Sequence, residues 1–399
     1  MSEAQKGARG RIWGRKILRS ILGLALFWAG IALIPHRWCS REARALFDGD
    51  EIAQEKLVHG METWISTSLK QDTFTSGFEQ INGEWLFGSY MMAGMGFGQT
   101  ALEHPKWKAR HIELMAVCIE KLLSREARSF DLKSWKRDPI DSLETTDQHG
   151  SYLGYLNLLL SFHRLLDPAS KYSKLNDQIT AALVERIEKS PGLLLQSYPD
   201  QVYPVDNCAV IGSIGLYDRA TGKSHGDLIE RWIAKCRENY IHPQTGLFYQ
   251  AVDYSTGSAL DNPRGSGTCF GIYFLSFADR AFAKSLFDSV KVQLADTLFG
   301  FGVVREYPKS IRSGGASVDS GPIVFGYGMS PTAFSIGCSR LFGDAKFYGQ
   351  LYGTAYLVGA PLDRKDRKNF IMGGSIGDAI LFAMLTAQRG MGQTGRVVP

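Results

Sequence analysis

The sequence lacks the marks of most familiar chemistries. Its six cysteines, Cys39, Cys118, Cys208, Cys236, Cys269 and Cys338, are scattered. They form no CxxC pair and no His/Cys spacing suited to zinc, which excludes a zinc module and a dense disulfide framework. Most fall inside apolar helical runs and read as small core residues. No nucleotide fingerprint is present, because no strand precedes Gly326-Tyr327-Gly328-Met329-Ser330. The acidic run Asp48-Gly49-Asp50-Glu51 is too short for a calcium loop. Charge of one sign is also scarce. The formal net charge is +5, and much of it sits in Lys6, Arg9, Arg11, Arg15, Lys16 and Arg19. The remaining body is close to neutral, which argues against a nucleic-acid groove. What the chain has is length and apolar content: 399 residues, 44% hydrophobic and 12% aromatic. That is enough for a large core and excludes disorder over most of the length.

One apolar run stands apart. Residues 21–35, extendable back to Ile17 across Arg19, read as a membrane-spanning helix with Trp13 and Trp38 near the two interfaces. More positive charge precedes the run than follows it, so a single-pass anchor is expected, with the body facing the periplasm or exterior. His36-Arg37-Trp38-Cys39 is a poor cleavage site, which favours retention over a cleaved signal peptide. The expected division is a tail and anchor over 1–40, a folded domain over 41–390 and a flexible tail over 391–399.

Behind the anchor two kinds of helix alternate. Runs at 84–103, 149–166, 206–220, 266–280, 322–342 and 373–389 are apolar nearly all round and rich in small residues, as buried helices are. Runs at 50–69, 107–123, 170–189, 226–240, 281–298 and 345–358 are amphipathic. Turns carrying Asp, Gly, Pro or Lys separate the members of each pair. Six such pairs, roughly 50–60 residues apart, predict an all-α fold, an (α/α)6 toroid of six hairpins. The stretch 242–262 alternates around two turns and predicts a short β-hairpin insertion at the mouth, and 300–310 is a second extended piece.

In a toroid all inner helices start at one end, so their first turns converge on one funnel. Those starts supply Glu84, Trp85 and Tyr90, then Asp147, His149 and Tyr152, then Tyr203, Asp206 and Asn207, with Asp319, Ser375 and Asp378 further on. Tyr249 and Arg305 lie on the two extended pieces. Carboxylates, a histidine, tyrosines and an arginine suffice for general acid–base chemistry. Each also has a plainer reading: Asp147, Asp206, Asp319 and Ser375 as helix N-caps, and His149 as a satisfied core histidine.

With those residues in hand, the chain resembles the linalool dehydratase/isomerase family of α/α toroids. The resemblance is carried by EWLFGSY (84–90), ETTDQHGSYLGYLNLLLSFHRL (144–165), YPVDNCAVIGSIGLYDR (203–219), HPQTGLFYQAVDYSTG (242–257) and VREY (304–307). It implies that Glu84, where the family has Asp, and Tyr90 bind and transfer a proton at an alcohol, and that His149 is the catalytic histidine. The family's two active-site cysteines fall on Tyr203 and Gly212.

The expectation is a membrane-anchored, cofactor-free lyase or hydratase acting on a hydroxyl-bearing small molecule. Its catalytic residues are Glu84, Tyr90, His149 and Asp206. Its substrate contacts are Trp85, Asp147, Tyr152, Tyr203, Asn207, Tyr249 and Arg305, with no metal. The alternatives are a carbohydrate-active hydrolase or polysaccharide lyase using two carboxylates, and a non-catalytic envelope binding protein. The membrane, through the N-terminal helix, and a small-molecule or glycan substrate are the expected partners; nucleic acid is not.

Overall fold

Helices dominate the chain because its apolar residues recur at helical spacing, with small residues inside the inner runs. The computed structural model describes residues 3–311, 314–317 and 320–389. The expected tail 391–399 and Asp319 lie outside them. In chain order the helices are α1 (Glu3–Asp48), α2 (Glu51–Ser66), α3 (Glu79–Glu103), α4 (Lys108–Leu122), α5 (Ser129–Trp135), α6 (Gly150–Leu166) and α7 (Ser173–Lys189). They continue with α8 (Pro204–Thr221), α9 (Gly226–Lys235), α10 (Gly265–Leu275), α11 (Arg280–Gln293), α12 (Met329–Leu341), α13 (Ala345–Gly359) and α14 (Gly374–Leu385).

The runs that are apolar on all sides become the inner layer. Helices α3, α6, α8, α10, α12 and α14 touch in that cyclic order, and α14 closes the ring on α3. Small residues set their spacing. A Cβ on Gly212 of α8 would sit 2.4 Å from the carbonyl oxygen of Phe274 on α10. The amphipathic helices α2, α4, α7, α9, α11 and α13 back the ring. Helix α7, for example, buries Ile179, Leu183 and Ile187 while Glu185 and Glu188 stay exposed. This is the expected toroid-like arrangement, argued from burial on all sides against burial on one.

The end of the ring where α3, α12 and α14 finish carries an ion pair between fully buried Arg340 and partly buried Glu103. Arg340 of α12 donates to both carboxylate oxygens of Glu103 at 2.7 and 2.8 Å, and to the carbonyls of Leu46, Thr386 and Ala387. A guanidinium suits that position, because helix C-termini present unsatisfied carbonyls and a negative dipole end.

Two expectations need correction. Among the described residues no helix is long and apolar enough to cross a membrane. The single-pass localisation and the membrane as a partner are therefore withdrawn. Helix α1 also runs on past residue 40, and Cys39, Ala43, Leu46 and Phe47 are buried at its end, where Phe47 packs edge-on against Tyr348 of α13 at 5.2 Å.

The β structure is smaller and elsewhere than expected. Over 242–262 the chain forms only isolated bridges, Ile241 with Phe248, Tyr249 with Pro263 and Val252 with Ala259. Asp253 there accepts from the backbone of Ser255 and Thr256, and such side-chain turns compete with a regular ladder. The paired strands are β1 (Ala295–Leu298) with β2 (Phe301–Val304), β3 (Ile323–Val324) with β4 (Tyr327–Gly328), and β5 (Pro361–Asp363) with β6 (Lys368–Phe370), all antiparallel.

Candidate functional site

Side-chain capping is uneven among the helix starts. Outer helices α2, α11 and α13 begin with Asp50, Asp279 and Asp344, each accepting a hydrogen bond from its own first turn. At the six inner helices the N-cap residue makes no side-chain cap bond. Outer helices α4, α7 and α9 also start without such a bond, so capping alone does not mark the inner mouths. At α10 a tertiary partner substitutes: buried Glu306 accepts from the Ser266 hydroxyl at 2.7 Å and its backbone N–H at 3.2 Å.

The ring is open at that end. Glu84 and Trp85 of α3, Val205 and Asp206 of α8, Phe270 of α10 and Ala333 of α12 keep partial exposure, whereas most neighbours on the same helices are buried. Two carboxylates stand among them, and each is held by a tyrosine. The Tyr198 hydroxyl donates to Glu84 Oε1 at 2.7 Å, and the Tyr155 hydroxyl donates to Asp206 Oδ1 at 2.7 Å. Gln80 adds a second, longer donor to Glu84 at 3.2 Å.

Burial pushes both hydroxyls well above the ordinary tyrosine value. The charges of Glu84 and Asp206 add to the rise at Tyr198, and Asp206 adds to it at Tyr155. Both tyrosines therefore remain protonated donors. Aromatic rings continue from Tyr155: it stacks on Phe270 with centroids 6.2 Å apart, and Phe270 stacks on Phe334 at 4.2 Å.

Tyr198 reaches Glu84 because the loop carrying it is stapled to the starts of two helices. Gly150 N–H donates to the Gln196 carbonyl at 3.0 Å, and Gln196 N–H donates to Gln148 Oε1 at 2.6 Å. From α8, Asn207 accepts from Leu195 N–H at 2.7 Å and donates to the carbonyls of Leu195 and Tyr203. Asn207, expected as a substrate contact, is a buried clamp on this loop.

The other expected site residues separate. Trp85 lies beside Glu84, edge-on to Phe74. Tyr90, one and two-thirds turns along α3, is buried with its hydroxyl 3.4 Å from the Leu69 carbonyl, and burial lifts it to about 12. Tyr152 is buried and donates to the Leu122 carbonyl at the end of α4. Both face the outer layer. Asp147 pairs with Arg137 at 2.8 Å. Tyr203 donates to Gln201 Oε1 at 2.8 Å. Tyr249 packs edge-on against His242, and Arg305 lines a rim cavity. At the start of the last ring helix, Ser375 is buried in the first turn of α14. Asp378 accepts from the indole of Trp64, from Asn369 and from the backbone of Phe370.

His149 is fully buried. Its Nδ1 lies 2.5 Å from Asp131 Oδ2, its Nε2 lies 2.9 Å from Ser142 Oγ, and its ring packs on Trp135 at 4.8 Å. This Asp–His–Ser line has the order of a nucleophilic triad, yet Asp131, His149 and Ser142 all have zero exposure. It fastens the short helix α5 to the start of α6.

With the geometry in view the comparisons can be stated. Residues 157–310 match the linalool dehydratase/isomerase family. That stretch carries Tyr198, Asp206 and Arg305, and the resemblance read from the sequence holds over it. Among solved structures, an unsaturated glucuronyl hydrolase specific for heparin superposes with a TM-score of 0.52 at 11% identity, covering 85% of this chain and 95% of that one. A GH76 alpha-mannanase of Bacteroides thetaiotaomicron has a TM-score of 0.48 at 10% identity, covering 75% and 85%. At 11% identity the likeness to the glucuronyl hydrolase speaks for the fold alone. No curated protein matches the sequence.

Two residues of the cluster were not singled out from the sequence. Tyr155 stands in the quoted 144–165 stretch, one turn beyond Ser151, and its helical spacing from the mouth was the available signal. Tyr198 lies in a loop with no periodicity and left no signal.

Proposed function

We propose that this chain is an acid–base enzyme that breaks or forms a carbon–oxygen bond in a hydroxyl-bearing substrate at the open end of the ring. Glu84 and Asp206 are its working carboxyl groups. The observation that carries this reading is the pair of carboxylates on two inner helices, each oriented by a tyrosine that burial keeps protonated. In the dehydrating direction one carboxyl group protonates the departing hydroxyl, which leaves as water. The other, as carboxylate, takes a proton from the neighbouring carbon, and the C–H electron pair becomes the double bond. Tyr155 and Tyr198 hold the two groups in place through the step. The family match over 157–310 supports this lyase or hydratase form.

A second reading is favoured by Trp85 and Phe270, aromatic residues that keep partial exposure at the same end as the two carboxylates and suit a sugar ring. With water as the attacking group, the same two carboxyls would cleave a glycoside.

Turnover of a panel of tertiary and allylic alcohols and of aryl glycosides tests both. Glu84→Gln and Asp206→Asn should each lower turnover by at least about a hundredfold, with helical circular dichroism unchanged. In ¹⁸O-water the hydrolytic product takes up label and the alkene does not. Undiminished turnover in both variants would remove the assignment.

A further inference from the structure

We propose that the rim cavity at Arg305 is a binding site for a small molecule bearing an oxyanion, a carboxylate or a phosphate. The inference does not depend on the chemistry assigned to Glu84 and Asp206. Arg305 follows directly on β2, and its backbone is fixed: its N–H donates to the Leu294 carbonyl at 2.9 Å, and it bridges Tyr327 of β4. The guanidinium lies over the Tyr327 ring at 5.2 Å. It also packs against Gly326, whose φ is +86°, and a Cβ there would come within 2.5 Å of Nη2. The backbone thus makes room for this head group at a position where any side chain would expel it.

Among the described residues the neighbouring charges are spent elsewhere. Lys309 pairs with Asp296 at 3.1 Å, and the Tyr327 hydroxyl donates to the same carboxylate. Arg264 pairs with Asp261 at 2.7 Å. Glu306, next in the chain, turns its carboxylate to Ser266. Among the described residues Arg305 has no ion pair, and its buried Nε has no hydrogen-bond partner. A half-buried guanidinium in that state is expensive, and a ring face offsets only part of the cost.

The cavity beside it is about 360 Å³, lined by Arg305, Tyr307, Pro308, Lys309, Ile323 and Gly326. That is within the range of small-molecule sites. A planar fork with unclaimed donors matches an oxyanion through two parallel hydrogen bonds. The positive ends of α10 and α12 lie at the same end of the ring.

The test is calorimetric titration of the full chain with D-glucuronate, glucose 6-phosphate and glucose. Saturable binding of either anion, weaker by at least about tenfold in Arg305→Gln and less weakened in Arg305→Lys, is the expected result. Which anion binds identifies the source of the charge. Glucose should bind no better than it does to Arg305→Gln, and Glu84→Gln should leave anion binding unchanged, which separates this site from the proposed catalytic pair. The melting temperature of Arg305→Gln should be no lower than that of the parent, because among the described residues the replaced guanidinium has no ion pair and its Nε no hydrogen-bond partner. Saturation by neither anion, equal binding by Arg305→Gln, or a melting temperature lowered by several degrees without any anion effect would overturn the proposal.

Discussion

Replacing His149 with alanine would strip a partner from a carboxyl group that has no alternative. Asp131 is fully buried, its Oδ2 is 2.5 Å from the imidazole, and its Oδ1 has no hydrogen-bond partner among the described residues. Breaking a buried pair from one side costs about 3–5 kcal/mol, because the remaining charge stays desolvated. With an unfolding entropy of about 2.1 cal/mol/K per residue, a body of roughly 350 residues loses about 1.4 °C per kcal/mol, so the melting temperature should fall by about 4–7 °C. The loss should also depend on pH. Burial raises Asp131 above its ordinary 3.8, and the hydrogen bond from His149 opposes the rise. A carboxyl raised in the folded state contributes stability that is complete below the unfolded value and is lost as pH climbs through the folded one. Without His149 that loss is no longer offset, so the deficit against the parent should be larger at about pH 7.5 than at about pH 4.5. Differential scanning fluorimetry at the two pH values, with Asp131→Asn as a shape-preserving control, measures it. If His149→Ala melted with the parent and yet lost all turnover, the imidazole would be a proton carrier and the structural reasoning would fail.

The tyrosine clamps should show in kinetics rather than in stability. Tyr155→Phe and Tyr198→Phe each delete one hydrogen bond to a carboxylate, worth about 1.5–3 kcal/mol, and should lower kcat/KM by roughly ten- to a hundredfold with circular dichroism intact. Full activity in both would mean that the carboxylates need no orienting donor. Gly212→Ala places a methyl group against the Phe274 carbonyl and should cost about 1–3 kcal/mol by forcing α8 from α10. A parental melting temperature would show that the two helices can separate freely.

How much of this was legible beforehand differs between fold and site. Burial on all sides is written in a helix's own composition, so α3, α6 and α8 could be assigned to the inner ring from their apolar, small-residue runs, and α7 to the outer layer from its single stripe. Proximity to an inner mouth was legible too, which is why Glu84 and Asp206 were on the candidate list. Rotation about the helix axis was not. Tyr90 and Tyr152 belong to the same helix starts as true mouth residues, but ring packing turns them toward Leu69 and Leu122 in the outer shell. His149 has the chemistry of a catalyst and the surroundings of a core residue, because α5, a short helix with no counterpart in the repeat, brings Asp131 to it.

The sequence by itself determined the repeat, the layer to which each helix belongs and the end at which polar side chains collect. These follow from local patterning, which records how much of each helix meets water. The tertiary structure alone decided which polar groups meet. Tyr198 and Glu84 are joined by a hydrogen bond across 114 positions, through a loop held by Gln148 and Asn207, and no local pattern encodes a contact between segments so far apart. Among the described residues Arg305 stands without an ion pair for the same reason: Asp261, Asp296 and Glu306 are engaged by other groups.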